Sequence, residues 1–312
     1  MKRAVGTFRI AVLGGDKRLI YAAQALAEYG MRVSAWGNGG SGDFRQGVSV
    51  FSDWREAVKS GDCLLLPLPT TVDGVHLHSP LAIGGVELRL DTLFDAAGGK
   101  MILGGRLSDI FVRQAEERGL RCIDYFTSEI LQRKNALPTV EGAIEIAMRS
   151  LPSTIFGSKM AVIGYGRLGE LLCYQLRLLG AEVTVYARRE EALCRAEQFG
   201  CKTELLGGMV EETLSRLDPQ TRVVFHTVPV CLFTKNVLKS IPNTVLHIDL
   251  ASAPGGIDRI AAEALGIQTV WATSLPGKYA PETAGKIIAD TIETILRSVK
   301  ESSETDDLED TR

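Results

Sequence analysis

No stretch of this 312-residue chain approaches the roughly 20 consecutive apolar residues that a membrane helix requires, so no membrane span is expected. Neither sign of charge dominates. A net charge of −3 provides no electrostatic reason to expect nucleic acid or an anionic membrane surface as a partner. The six cysteines (Cys63, Cys122, Cys173, Cys194, Cys201, Cys231) form no C-x-x-C pair and do not cluster with the four histidines. That scatter argues against a disulfide framework and a metal site, and the thiols are expected to be reduced and buried. The basic start, Met1-Lys2-Arg3, is followed by Arg9, Asp16, Lys17 and Arg18, which interrupt any apolar leader segment. A cytoplasmic location is therefore expected.

What is present is an ordinary globular mix, 45% hydrophobic and 23% charged, in a chain long enough for two domains. The strongest organisational feature is an internal repeat at a spacing of 150 residues. Arg9-Ile10-Ala11-Val12-Leu13-Gly14 reads like Lys159-Met160-Ala161-Val162-Ile163-Gly164, and Gly30 to Trp36 reads like Gly180 to Tyr186. Each unit is an apolar run, a glycine turn, a helical stretch, a glycine stop and a further β-rich run, the mark of βαβ units in a parallel sheet. The fold class expected is α/β, with two doubly wound, Rossmann-like domains joined by interdomain helices. The expected boundaries are an N-terminal substrate domain over 1–137, an interdomain helix over 138–152 opened by Pro138, a dinucleotide domain over 153–277, a C-terminal helix over 278–300 returning to the first domain, and an acidic disordered tail over 301–312.

The chemistry-bearing motif is Gly164-Tyr165-Gly166-Arg167-Leu168-Gly169. Alone, G-x-G-x-x-G is weak; here it follows a strand pattern and opens a helix pattern, which is the context dinucleotide binding requires. Gly164 is expected to make the tight turn, Gly166 to admit the pyrophosphate, and Gly169 to let helix and strand pack closely, with the helix N-terminus facing the phosphates. An NAD site usually has an acid at the end of the second strand. Here Ala187 holds that position and Arg188 and Arg189 follow, which favours the 2′-phosphate of NADP over NAD; the competing reading makes both arginines a solvated turn and assigns the acid's role to Glu190. Thr227, Val228, Pro229, Leu250 and Ala251 are expected beneath the nicotinamide, at the carboxyl ends of strands.

In the first domain the motif has decayed: Gly15, Asp16 and Leu19 stand where Tyr165, Gly166 and Gly169 stand in the second. A carboxylate at Asp16 opposes a pyrophosphate, so this domain is expected to take a small carboxylate instead. Arg18, Arg106 and Lys278 are candidate anchors because each follows a glycine- or proline-marked turn, though Arg106 also suits a helix start. Glu141, Glu282, Asp16 and His226 qualify chemically as a base. His226, however, lies on an apolar strand, Glu141 suits a helix N-terminus, and Thr139 and Thr283 suit helix caps. His76 and His78 lie in a polar loop and match no metal-ligand pattern.

The architecture resembles the D-2-hydroxyacid and alanine dehydrogenases, but Ser252 and Gly277 stand where the hydroxyacid enzymes need Arg and His. Pro138-Thr139-Val140-Glu141-Gly142, the run Asp249 to Gly256, the run Leu275 to Gly285 and the opening Ile10 to Asp16 together resemble the family of dipicolinate synthase A subunits over about residues 8–298. The resemblance implies oxidation of a dihydrodipicolinate-type intermediate of the lysine pathway to pyridine-2,6-dicarboxylate in the mother cell of a sporulating bacterium. It also implies a flavoprotein-like B subunit as partner, and a homo-oligomer. On that reading Glu141, Lys278, Ser252 and Glu282 are the catalytic candidates, and Gly15, Asp16, Arg18, Arg106 and Thr139 bind a small dicarboxylate. The alternatives are a non-catalytic nucleotide-sensing module, a protein that only presents cofactor to a catalytic partner, and a different amino-acid or keto-acid dehydrogenase.

Overall fold

The computed structural model describes residues 8–45 and 47–309; Met1 to Thr7, Gln46 and the last three residues of the acidic tail lie outside them. The chain divides into two units, Met1–Asn135 with Ala280–Arg312, and Ala136–Tyr279. Unit 1 runs β1 (Arg9–Leu13), α1 (Lys17–Glu28), β2 (Arg32–Trp36), β3 (Val48–Val50), α2 (Trp54–Ser60), β4 (Cys63–Leu65), α3 (Leu90–Ala97), β5 (Met101–Gly104), α4 (Asp109–Glu116) and β6 (Arg121–Asp124). Helix α5 (Glu129–Ser150) carries the chain across the boundary. Unit 2 continues with β7 (Lys159–Ile163), α6 (Arg167–Leu178), β8 (Glu182–Ala187), α7 (Glu190–Gln198), β9 (Lys202–Leu205), α8 (Val210–Ser215), β10 (Thr221–His226), α9 (Lys235–Ser240), β11 (Leu246–Asp249), α10 (Arg259–Ala264), β12 (Thr269–Trp271) and α11 (Leu275–Tyr279). Helix α12 (Pro281–Glu309) then belongs to unit 1.

Each unit holds one six-stranded parallel sheet, in the orders β3-β2-β1-β4-β5-β6 and β12-β11-β10-β7-β8-β9, which is one doubly wound topology used twice. The repeat survives at the level of single bonds. Leu13 pairs with Trp36 as Ile163 pairs with Tyr186. Gly14 N–H donates to the Trp36 carbonyl at 2.7 Å, and Gly164 N–H to the Tyr186 carbonyl at 2.8 Å. Strands such as Ile10 to Leu13 and Val223 to Phe225 are apolar on both faces because helices cover both sides of each sheet. In unit 1 one covering layer packs Leu19, Leu26, Ile288, Ile292 and Leu296, and the other Trp54, Phe94 and Phe111. In unit 2 Val140, Ala143, Leu172 and Leu176 pack on one side, and Phe233, Val237 and Ala262 on the other.

Three local expectations change. Pro138 does not open a helix but lies inside α5, so Thr139 is no helix cap and Glu141 is an exposed mid-helix residue. Proline at this point removes an N–H whose partner would be the Lys134 carbonyl, and it falls just past the boundary between the units. The C-terminal helix expected over 278–300 begins only at Pro281, because Leu275 to Tyr279 wind into the separate helix α11 after Ser274, whose φ is 57°. The tail expected to be irregular from Glu301 continues α12 to Glu309, because no glycine or proline follows Gly285 to stop a helix already nucleated.

Candidate functional site

In unit 2 the glycine motif lies at the switch point where β7 sits between β10 and β8, so its turn opens at the carboxyl ends of the strands. Each glycine has a separate steric reason. Gly164 has φ 97°, and a side chain there would meet Val228 and Thr227. A methyl at Gly169 would overlap the Gly164 carbonyl oxygen. Gly166 is exposed, with nothing within 4 Å of the position a Cβ would take. It is also the N-cap of α6 and, having no side chain, makes no side-chain cap hydrogen bond to the first turn. An open cradle at an uncapped helix N-terminus suits a pyrophosphate.

The neighbouring positions follow from the same turn. Tyr165 is buried, Arg167 exposed and Leu168 half-buried. Ala187, 6% exposed, ends β8, and Arg188 and Arg189 project beyond it, both exposed. Among the described residues neither guanidinium pairs with a carboxylate, and Glu190 begins α7 on the solvent side. Thr227 is fixed by both its N–H and its hydroxyl donating to the Ile163 carbonyl, at 3.0 and 2.8 Å. Val228 and Leu250 are half-buried, Ala251 is buried, and Pro229 and Ser252 are exposed.

Beneath the loop from Ala251 to Gly256 lies a polar cluster that sequence reasoning passed over. The Asp249 carboxylate, 1% exposed, accepts from the N–H groups of Ala251 at 3.0 Å and Gly256 at 2.8 Å. Burial raises its pKa, against the pull of those two bonds. Gly255 has φ 92° and Gly256 lies against the His226 ring, which explains the paired glycines after Pro254. His226 is fully buried, as expected of a core histidine and not of a solvent-facing base. Its Nε2 lies 3.0 Å from Nδ1 of His247, equally buried. Burial depresses both imidazoles, His247 to about 3. The only sequence cue was a histidine on each of two apolar runs.

In unit 1 the corresponding turn is closed to phosphate. Asp16 is the N-cap of α1 and accepts from Arg18 N–H at 3.0 Å, so a carboxylate already occupies the helix N-terminus. Arg18 is not the free anchor expected. Its side chain is 7% exposed, makes a bidentate pair with Asp16 and also donates to the Leu68 carbonyl. Burial raises the Asp16 carboxyl, but the Arg18 bonds and charge outweigh it and hold the group below its usual range. Gly15, φ 97°, donates its N–H to the His78 carbonyl at 2.8 Å.

Arg106 differs from Arg18. It follows β5 with φ 58°, a left-handed backbone rare for a residue with a side chain. It is not a helix-start cation, since α4 is capped by Ser108. The Asp124 carboxylate holds the N–H groups of Arg106 and Leu107 at 3.0 and 2.9 Å. The exposed guanidinium lies over the Phe126 ring at 5.6 Å and pairs with no acid among the described residues. Buried Thr70 ties this loop to the next, its hydroxyl accepting from Gly105 N–H at 3.0 Å.

The remaining candidates belong to helices. Glu282 is exposed and paired with Lys286 at 2.7 Å, a hydrogen bond that holds its carboxyl below the usual range. Glu141 and Lys278 are exposed on α5 and α11, and Thr139 is half-buried in α5.

The comparisons agree with this picture of two Rossmann-like units. The family model for the N-terminal domain of the dipicolinate synthase A subunit matches residues 9–126. The chain is 28% identical over 297 residues to the dipicolinate synthase A subunit of Bacillus subtilis (strain 168), covering 94% of this chain and 97% of that protein. The crystal structure of the dipicolinate synthase A subunit from Bacillus halodurans is similar with a TM-score of 0.82 at 27% identity, covering 93% of this chain and 97% of that one. An L-alanine dehydrogenase shares the fold at a TM-score of 0.65 and 16% identity, covering 95% and 92%.

Proposed function

Because the chain belongs to the family of dipicolinate synthase A subunits, we propose that it is a nicotinamide-dependent oxidoreductase that forms pyridine-2,6-dicarboxylate from a dihydrodipicolinate-type intermediate, using NADP in preference to NAD. The observation that carries the reading is the α6 N-terminus behind Gly166, which has no side-chain cap, together with a β8 that ends at Ala187 and is followed by Arg188 and Arg189, with no acid at the ribose position. When bound, the cofactor supplies a two-electron hydride acceptor. The chain's own part is to receive the pyrophosphate on the N–H groups of α6 and the 2′-phosphate on Arg188 and Arg189, whose planar forks suit a phosphate.

Substrate binding is assigned to the carboxyl ends of β1, β4 and β5. There Arg106 offers a rigidly presented guanidinium to one carboxylate, and Gly15 and Thr70 shape the floor. Arg18 acts only indirectly, by neutralising Asp16 so that an anionic substrate is not repelled. Activity is proposed to need the flavoprotein-like B subunit, with the chain itself a homo-oligomer in the mother cell of a sporulating bacterium; the resemblance to dipicolinate synthase A subunits supports these points. A cofactor-presenting role without catalysis is the second reading, favoured by the exposure of Glu141 and the Lys286 pairing of Glu282.

Calorimetric titration with NADP and NAD tests the proposal. Wild type is expected to bind NADP more tightly, and Arg188→Ala to lose about tenfold or more of that affinity while NAD binding changes little. Equal affinities unaffected by the substitution would remove the 2′-phosphate assignment and turn attention to Glu190.

A further inference from the structure

We propose that His78 is the base that takes the ring proton when the dihydropyridine is oxidised; this rests on the substrate assignment to unit 1 made above. Oxidation to an aromatic pyridine breaks a ring C–H bond with its electron pair, which leaves as hydride to the nicotinamide ring. It also removes one proton from the ring, and the pair left behind completes the aromatic π system. The proton needs an acceptor. Asp16 is committed to Arg18, Glu282 is committed to Lys286, and Glu141 stands in solvent.

The backbone around His78 is pinned across the proposed substrate floor. Its carbonyl accepts from Gly15 N–H at 2.8 Å, at the turn after β1. Its N–H donates to the Thr70 carbonyl at 2.9 Å, and Thr70 in turn holds Gly105 next to Arg106. The segment thus joins the loops after β1, β4 and β5, and the imidazole it carries is half-buried. Asp16 and Arg18 face it electrostatically from the start of α1. Burial is the main influence and lowers its pKa, Asp16 opposes this and Arg18 adds to it, so the ring is neutral and able to accept a proton at pH 7.

His78 also borders a cavity of about 480 Å³ lined by Asp73, His76 and Glu87. His76 Nδ1 lies 2.7 Å from the Asp73 carboxylate. Two carboxylates make this cavity a poor seat for a dianion but a good route for a proton leaving His78 to solvent. The substrate is therefore placed on the Gly15 and Arg106 side, and the cavity serves as the exit.

The test uses the full chain together with the B subunit, NADP and a dihydrodipicolinate, comparing wild type, His78→Gln and His78→Ala. Both hydrogen bonds that pin the segment are made by backbone atoms and survive substitution, and an unchanged urea-unfolding transition checks that unit 1 is folded in the variants. We expect kcat to fall about 100-fold or more in both variants. The acid limb of the wild-type kcat profile, below about pH 6.5, is expected to vanish in His78→Gln, and added imidazole should restore part of the rate in His78→Ala. A purely structural role would give neither the altered pH profile nor the rescue. A glutamine variant within threefold of wild type, with the same profile, overturns the assignment of His78 alone. If wild type itself oxidises no dihydrodipicolinate, the substrate reading falls and the assignment falls with it.

Discussion

Gly166 and Gly169 stand three residues apart and are expected to fail in opposite ways. At Gly166 a methyl meets nothing, and the backbone is in an ordinary extended conformation. Gly166→Ala should therefore fold normally and lose NADP affinity, because the methyl fills the space the pyrophosphate needs. At Gly169 a methyl overlaps the Gly164 carbonyl. Overpacking of that kind costs about 1–3 kcal/mol, more than the roughly 1 kcal/mol alanine gains over glycine inside a helix. Urea unfolding of Gly169→Ala should show a net loss, where Gly166→Ala shows none; equal stabilities would contradict the packing argument. Motif spacing made these glycines readable from sequence. Arg18 was not readable in the same way. Its neighbours Asp16 and Lys17 were visible, but the Leu68 carbonyl that completes its burial comes from fifty residues away.

At the scale of elements, the contact between α1 and α12 depends on Gly285. A Cβ there would press on the Arg18 carbonyl, the Tyr21 side chain and the Ala22 amide. Gly285→Ala should push α12 off α1 and cost about 1–3 kcal/mol, and it should disturb the Arg18–Asp16 pair at the start of α1. Chemical denaturation and the NMR signals of the Arg18 side chain would report the two effects. The return of α12 to the first unit was expected from the two-domain dehydrogenases that the chain resembles. The start of helix α5 was not foreseeable, because a proline at a first helical turn and a proline tolerated inside a long helix look alike in a single sequence. The strands were legible for a plain reason: a doubly wound sheet covered on both faces needs continuous apolar runs, and the 150-residue repeat displays each run twice. The His226–His247 pair lay on two such runs, and nothing in either run reveals that the strands carrying them are neighbours.

For the molecule as a whole, that pair sets an acid limit. In the folded chain His247 binds its proton only near pH 3, and His226 is shifted in the same direction, whereas in the unfolded chain both titrate near about 6.5. Well above pH 6.5, from about pH 8, neither state holds these protons and the pair contributes no slope. As pH falls below that value the unfolded state gains protons first, so stability declines. Between pH 7 and 5.5 the loss should be about 2 kcal/mol for the two rings together. Asp249, with its raised pKa, opposes the trend only at lower pH, where carboxylates begin to protonate. Guanidinium unfolding across this range checks the slope, and His247→Leu should make it shallower; an unchanged slope would mean that other groups govern it.

The division of the chain also has a consequence for its synthesis. Unit 1 needs Ile287, Ile288, Ile292 and Leu296 to close its core, and these follow Tyr279, the last residue of unit 2. A ribosome therefore delivers every residue of the second unit before the first can be completed. The usual order, in which the earlier domain folds first, is reversed here. The nascent first unit waits, with the α1 face that α12 will cover still open, while the dinucleotide unit assembles. A chain truncated just after Tyr279 and released would carry a complete cofactor unit attached to an unfinished first unit, a species that chaperones rather than substrate would meet first.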